Sequence, residues 1–201
     1  VAITGTNGKT SIAEFTRQIC AYAGHKAASL GTIGVVKADG AVYGSLTTPD
    51  PITLHKTLDA LAREGITHLA IEASSHGLDQ YRLDGVRLTA AAFNNLGRDH
   101  LDYHPTIEAY LDAKLRLFRE LMRPGQVAVV NADGPMADRA RNAAQQRGMI
   151  VCTTGLAGGD LRLVKVESDG FEQRLVVGHG GKTYPVRLPL LGTYQATNAL
   201  V

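Results

Sequence analysis

Apolar positions along this chain keep two different rhythms. Over residues 1–153, short β-rich apolar runs alternate with stretches whose apolar residues recur every three or four positions. The runs at 28–31, 69–71, 90–93, 127–130 and 149–152 predict strands, as does the opening run that stops before Gly5. The stretches between them predict helices. One is built on Ile12, Phe15, Ile19 and Ala23 and closed by Gly24. A second covers 51–64 on Leu54, Leu58 and Leu61, a third about 106–122, and a fourth 135–147. Runs at 35–37 and 41–43 flank Asp39-Gly40, the signature of a hairpin turn. Continuous apolar strands separated by helices predict an α/β fold, a mostly parallel sheet covered on both faces. Past residue 153 the rhythm changes. Strand runs at 161–166, 171–177 and 183–188 are separated by Ser168-Asp169-Gly170 and Gly178-His179-Gly180-Gly181. Such short turns force antiparallel neighbours, so a small three-stranded antiparallel sheet is expected over 154–190, packed beside the core. A helix is expected to begin in 191–201.

Composition narrows the class without naming a reaction. Of 201 residues, 44% are hydrophobic and 20% charged, enough apolar surface for the full core of a soluble domain. A formal charge of +2 is too small to argue for nucleic acid or an anionic membrane as partner. No apolar run approaches the roughly 18 residues of a bilayer span, and no signal-peptide pattern opens the chain. Cys20 and Cys152 lie far apart among apolar neighbours and are expected as two reduced, buried thiols of a cytoplasmic protein. Val1 already stands inside a strand and the last residues read as a helix barely begun. The chain is therefore expected to be the middle piece of a longer protein.

The chemistry concentrates where strands end. Gly5-Thr6-Asn7-Gly8-Lys9-Thr10 follows the first apolar run and opens an amphipathic helix, the layout of a phosphate-binding loop. Amides of Gly5 to Gly8 would point at anionic oxygens beside a helix N-terminus. Lys9 would reach the β/γ-phosphates and the Thr10 hydroxyl would ligate Mg²⁺. Ile3 stands where the general Walker pattern has a glycine, so this is the shorter form of the loop. A plain glycine turn is the competing reading. Later strands deliver Glu72 with Ser74-Ser75-His76, Asn94-Asn95 with Arg98-Asp99-His100-Leu101-Asp102-Tyr103-His104, and Asn131 with Asp133. In a parallel sheet, ligands gather beyond these carboxyl ends. Glu72 and His100 are the metal candidates besides Thr10, a carboxylate being apt for a hard cation. His100 could instead orient a ligand or a water.

Lys114 is an anomaly of pattern. Ile107, Tyr110, Leu111, Leu117, Phe118 and Leu121 form one apolar helical stripe, and Lys114 falls in its middle. Burial lowers a lysine pKa, and a neutral amine can take up CO₂ as a carbamate that binds cations. From the residues alone, a lysine that snorkels to solvent or pairs with an acid stands ahead of the carbamate.

Taken together, these residues resemble the central ATP-binding domain of the Mur ligase family, from Gly5-Thr6-Asn7-Gly8-Lys9-Thr10 to Gly192-Thr193-Tyr194-Gln195-Ala196-Thr197-Asn198. Within that family the likeness is to the MurE, or tripeptide-synthetase, type. It rests on Leu46-Thr47-Thr48-Pro49, on Glu72-Ala73-Ser74-Ser75-His76-Gly77-Leu78 with Gln80 and Arg82, and on Asp99-His100-Leu101-Asp102-Tyr103-His104. The resemblance implies ATP on Gly5, Thr6, Asn7, Gly8, Lys9, Thr10, Ser11 and Asn198. It implies a UDP-muramoyl dipeptide on Thr47, Thr48, Ser74, Gln80 and Arg82. Mg²⁺ would lie on Thr10, Glu72, His100 and Lys114, the last as a CO₂-derived carbamate, which the resemblance now favours. Lys9, Glu72, His100 and Lys114 would be catalytic. Two departures stand out. Gly192-Thr193-Tyr194-Gln195 replaces the usual Gly-x-Phe-Asn, and Asp133-Gly134 stands where two aspartates are common, so Asp133 receives no catalytic role.

The reaction implied is peptidoglycan-precursor synthesis. ATP phosphorylates a glutamate carboxylate, and the amine of a diamino acid then displaces phosphate. Meso-diaminopimelate is expected over lysine on family frequency alone. An N-terminal UDP-binding domain and a C-terminal amino-acid-binding domain are implied outside this chain, with a monomeric, cytoplasmic enzyme and an inactive isolated fragment. Two alternatives stay open: a folylpolyglutamate synthetase-like ligase of the same fold, and a nucleotide-binding regulatory module without turnover.

Overall fold

The first apolar triplet becomes the middle of a sheet. In the computed structural model, which describes residues 1–42, 44 and 46–201, all three residues of β1 (Ala2–Thr4) are enclosed. The other strands are β2 (Ala27–Gly31), β3 (Gly34–Lys37), β4 (Gly40–Val42), β5 (His68–Glu72), β6 (Ala90–Phe93), β7 (Val127–Asn131), β8 (Ile150–Gly155), β9 (Leu161–Asp169), β10 (Glu172–His179) and β11 (Lys182–Leu188). Among the described residues they form one sheet in the order β11-β10-β9-β8-β7-β6-β1-β5-β2-β3-β4. The run from β8 to β2 is parallel, with Ala2 opposite both Ile71 and Ala91. The α/β class is as the apolar rhythm predicts.

Alternation along these strands sorts two cores. Ala2, Ile71, Ala91 and Phe93 face the larger one, while Ile3, Ala70 and Ala92 face the other with Ile12 and Ala13. The helices are α1 (Lys9–Tyr22), α2 (Pro51–Arg63), α3 (Ser75–Asp79), α4 (Ile107–Arg116), α5 (Ala137–Gln146) and α6 (Thr193–Asn198). One π-helical turn, Leu117–Leu121, continues α4. Three starts are capped by side chains. Asp50 accepts from the amides of Ile52 and Thr53, Ser74 from Gly77, and Thr106 from Ala109, all at 3.0 Å. Each such cap stabilises its helix by about 1 kcal/mol. No helix among the described residues is long and apolar enough to cross a membrane.

The structure departs from expectation in several places. Ile19 was expected on the buried stripe of the first helix but is 63% exposed; α1 packs on the sheet through Ile12 and Ala13, and its last turn, with Tyr22, projects into solvent. Ser75–Asp79 is a helix rather than the tail of a loop. The three late strands form the expected antiparallel meander, yet it is joined edge to edge with the main sheet. Thr154 and Gly155 of β8 pair in parallel with Leu161 and Arg162 of β9. The meander keeps a core of its own, Leu163, Leu175 and Val177 packed with Ala196 and Leu200. Cys20 and Cys152 are free thiols but only half-buried. Of the strand expected at 41–43, Tyr43 lies outside the described residues.

Candidate nucleotide site

The site forms where β1 ends, between β5 and β6. There the chain's crossovers leave in opposite directions, the crevice in which α/β sheets hold ligands. Gly8 is the N-cap of α1 at φ +84°, a left-handed conformation suited to glycine. A Cβ there would also stand 2.4 Å from Asn198 Oδ1 and 2.6 Å from Asn94 Nδ2. Sequence reasoning aimed the Gly5 to Gly8 amides at an anion, and the structure corrects this for two of them. Thr6 N and Asn7 N donate to Asn95 Oδ1 at 3.0 and 2.9 Å. The amides of the first turn of α1 have no acceptor within their own helix, which leaves them available to an anion.

Lys9 bends back over the loop, its Nζ donating to Gly5 O at 3.0 Å and Thr6 O at 2.9 Å. Burial pulls its pKa down, opposed by the negative charges of Glu72 and Asp99. A cleft of about 410 Å³ opens in front of it. Eleven of the residues singled out from sequence line that cleft: Thr6, Asn7, Gly8, Lys9 and Thr10 on the loop side, with Thr47, Thr48, Glu72, Ser74, Arg82 and His100 around it.

Behind these side chains lies a buried framework. The Glu72 carboxylate is 2% exposed and accepts from Thr32 N at 2.9 Å and Thr32 Oγ1 at 3.2 Å. Gly31 lies so close that a Cβ would meet Glu72 Oε1 at 2.0 Å. Thr48 Oγ1 donates to Glu72 O at 2.8 Å and accepts from Ser74 N at 3.0 Å, and Arg82 Nη1 donates to Thr48 O at 2.8 Å. The Thr48 hydroxyl is thus already engaged in bracing the cleft wall. Gln80 stands outside the cleft and accepts from Arg82 Nε at 3.0 Å. Ser11 lines a neighbouring groove with Phe15 and Gln195. Asp133 accepts from the amides of Leu156 and Ala157 at 3.0 and 2.8 Å, a loop brace in keeping with its lack of a catalytic assignment.

Lys114 does not snorkel to solvent: it is 1% exposed, its Nζ donates to Gly5 O at 2.9 Å and lies 4.4 Å from the centre of the Tyr110 ring. Burial first, and the positive charge of Lys9 second, lower its pKa to about 7. Tyr110 shares a 3.0 Å hydrogen bond with Thr6 Oγ1 and so ties α4 to the loop as well.

His100 has φ +54°, a rare conformation for a residue with a Cβ and a frequent companion of functional sites. Its ring meets His76 at 4.9 Å, and His76 meets Tyr103 at 4.0 Å and His104 at 5.6 Å. Burial lowers the pKa of His76, and the neighbouring His100 and Arg82 lower it further. Sequence reasoning gave no separate role to His76, Asn95 or Tyr110, and all three touch residues it did single out. Among the described residues no group of three or more His, Cys, Asp or Glu is placed so that it could hold a metal ion. Glu72 and Thr10 bring a carboxylate and a hydroxyl to the same cleft, oxygen donors apt for a hard cation, and His100 adds an imidazole, a less usual ligand for such an ion.

Comparison with known proteins gives four findings. The family model for the Mur ligase middle domain matches residues 3–201. A curated relative from Bradyrhizobium diazoefficiens, UDP-N-acetylmuramoyl-L-alanyl-D-glutamate--2,6-diaminopimelate ligase, is 60% identical over 204 residues, covering 100% of this chain and 42% of that protein. A solved structure of a UDP-N-acetylmuramoyl-L-alanyl-D-glutamate--2,6-diaminopimelate ligase superposes with a TM-score of 0.87 at 33% identity, over 98% of this chain and 40% of that one. The apo form of L. casei FPGS shares the fold alone, with a TM-score of 0.78 at 16% identity over 98% of this chain and 55% of that one. The chain therefore spans about two-fifths of the length of the curated relatives it matches.

Proposed function

The chain belongs to the Mur ligase family, as its middle domain, and on that premise we propose that it carries the ATP-consuming centre of a ligase. The ligase would join meso-diaminopimelate to UDP-N-acetylmuramoyl-L-alanyl-D-glutamate, the reaction in the name of its 60%-identical relative. The observation that carries this reading is the shared cleft. Lys9, Thr10, Glu72 and His100 line it together with Thr47, Thr48, Ser74 and Arg82, so a phosphate loop and a polar substrate wall face the same space. Asn198 stands behind the loop, against Gly8, on the side proposed for the nucleoside.

The physical obstacle is that a carboxylate must approach a γ-phosphate of the same charge sign. The Lys9 ammonium and the first-turn amides of α1 would take up phosphoryl charge. Mg²⁺ fits a mainly oxygen donor set of Thr10, Glu72 and carbamylated Lys114, with His100 the one nitrogen, and when bound it would neutralise phosphoryl oxygens. Support for the carbamate is the buried amine with a pKa of about 7, which leaves a large neutral fraction at physiological pH. That amine would attack CO₂ and lose a proton, turning a cation into an anion. Arg82 is the guanidinium proposed to hold a substrate anion, and Thr47 and Ser74 supply hydroxyls beside it. A carboxylate oxygen then attacks the γ-phosphorus as ADP leaves, giving an acyl phosphate. The amine attacks the acyl carbon, sheds a proton and expels phosphate. The UDP-binding and amino-acid-binding domains, a monomeric state and a cytoplasmic location belong to the same proposal.

The test is phosphate release by the full-length protein with ATP, Mg²⁺ and UDP-N-acetylmuramoyl-L-alanyl-D-glutamate, adding diaminopimelate or lysine in separate reactions. Release that requires the nucleotide substrate together with diaminopimelate is expected. Release dependent on a folate substrate instead would select the folylpolyglutamate-type reading, and ATP binding without release under any condition would select a regulatory module.

A further inference from the structure

Asn94 directly follows β6, one residue before the asparagine that holds the Thr6 and Asn7 amides. Its side chain points beneath the phosphate loop, where it is 1% exposed. Every hydrogen-bonding group of this carboxamide is used. Its Nδ2 donates to Asn7 O and to Asn198 Oδ1, both at 2.9 Å, and its Oδ1 accepts from Asn131 Nδ2 at 3.0 Å. The chain of amides continues at both ends. Asn131 Oδ1 accepts from Asp133 N at 3.1 Å, and Asn198 Nδ2 donates to Gln195 Oε1 at 3.2 Å. Asn131 and Asn198 are buried as well. Three elements far apart in sequence, β6, β7 and α6, thus meet in one line of carboxamides under the loop.

The line is in contact with the loop's narrowest point. Gly8 has no room for a Cβ because Asn198 Oδ1 and Asn94 Nδ2 occupy that space. Asn7 O, on the preceding residue, is held from the same side. Buried, fully satisfied polar networks are rigid and directional, and removing one member strands the others. Phosphate recognition by backbone amides depends on alignment of a few tenths of an ångström. Neither Asn94 nor Asn131 lines the cleft, so their influence on a ligand must pass through the loop.

We propose that Asn94 is a positioning residue of the nucleotide site. Propped by Asn131 and shared with Asn198, it fixes the Asn7-Gly8 turn, so nucleotide affinity depends on how α6 is seated. The inference rests on the reading of the loop as an ATP site. α6 then acts as a sensor of its own environment: a shift of Asn198 is transmitted to the loop through one hydrogen bond.

The experiment measures ATP affinity calorimetrically, in the presence of Mg²⁺, for the full-length protein and for Asn94→Ala, Asn94→Asp, Asn131→Ser and Asn198→Ala. Asn94→Asp keeps the shape but loses both donated bonds, and with Asn94→Ala it is expected to weaken ATP by about tenfold or more, the effect of roughly one stranded hydrogen bond. Asn131→Ser, one step removed, is expected to give a smaller loss in the same direction. In the Asn198→Ala background, Asn94→Ala is expected to cost less than it does alone, because the shared bond is already gone. KM for the UDP-dipeptide is expected to stay constant throughout, which a general loosening of the fold would not spare. Should the Asn94 variants fail to fold, Asn131→Ser with its Asn198→Ala double variant carries the test. Folded variants that bind ATP within about twofold of the parent, or strictly additive losses, overturn the proposal. A parent that does not bind ATP overturns the nucleotide reading itself, and this inference with it.

Discussion

Lys114 puts an amine where an apolar residue would cost nothing, and its chemistry follows from that cost. Because a carbamate forms only from the neutral amine, ¹³C-bicarbonate uptake followed by NMR is expected to rise as pH climbs through about 7 and fall away below it. Lys114→Arg keeps the charge but cannot form a carbamate, and Lys114→Ala has no nitrogen; both are expected to lose turnover by orders of magnitude. Normal activity in either would sink the carbamate role. Stability carries a separate signature. The folded pKa lies below the unfolded value of 10.5, so between about 7 and 10.5 the unfolded chain binds the extra proton and stability rises with pH. The slope for one such proton is about 1.4 kcal/mol per pH unit at most, and Lys114→Met should flatten it. An unchanged slope in urea titrations across that window would mean that the folded amine keeps its proton there and its pKa is not lowered. At this scale, much of the site could be read in the sequence: Lys9, Thr10, Glu72 and His100 sit at strand ends or in a motif. Asn94 and Asn95 were noticed as polar residues at a strand end, but their roles were not. The atoms they hold belong to residues 37 to 104 positions away, which no local pattern encodes.

Elements matter here as holders of single side chains. Thr48 lies between two of them: its hydroxyl bonds both Glu72 O and Ser74 N, at the point where β5 hands over to α3. Thr48→Val keeps the shape and strands both groups, so a loss of about 1–3 kcal/mol is expected in chemical denaturation. Thr106→Ala removes the cap of the helix that carries Lys114 and Tyr110, with an expected loss of about 1 kcal/mol. Loss of stability without loss of bound carbamate would show that the cap supports the helix and not the lysine. Strands and long helices were evident from apolar period, since burial on two faces leaves little else a run such as Val127–Asn131 can do. Short α3 was not evident: five residues give no period, and its start is set by the Ser74 cap rather than by any stripe. Ile19 misled for the opposite reason, since its spacing is helical but its side of the last turn faces solvent.

At the scale of the whole molecule, sequence gave the kinds of strand but not their order. That β1 lies between β5 and β6 depends on crossovers that no stretch of chain records locally, and the position of the cleft follows from it. Nor did it show that the late meander joins the main sheet, because the joint is only two residue pairs, Thr154 with Leu161 and Gly155 with Arg162. That narrow seam has a thermodynamic consequence. A region with its own apolar cluster, attached by so little backbone pairing, is free to open as a unit below the energy of global unfolding. Native-state hydrogen exchange should find the amides of β9, β10 and β11 exchanging together, at lower protection than those of β1, β5 and β6. Uniform protection across the sheet would contradict this. Since α6 packs into the meander's cluster through Ala196 and Leu200 while Asn198 reaches the loop, each such opening would also release Asn198. ATP, if it binds only the closed form, would then slow the exchange of the whole meander, including amides far from the loop.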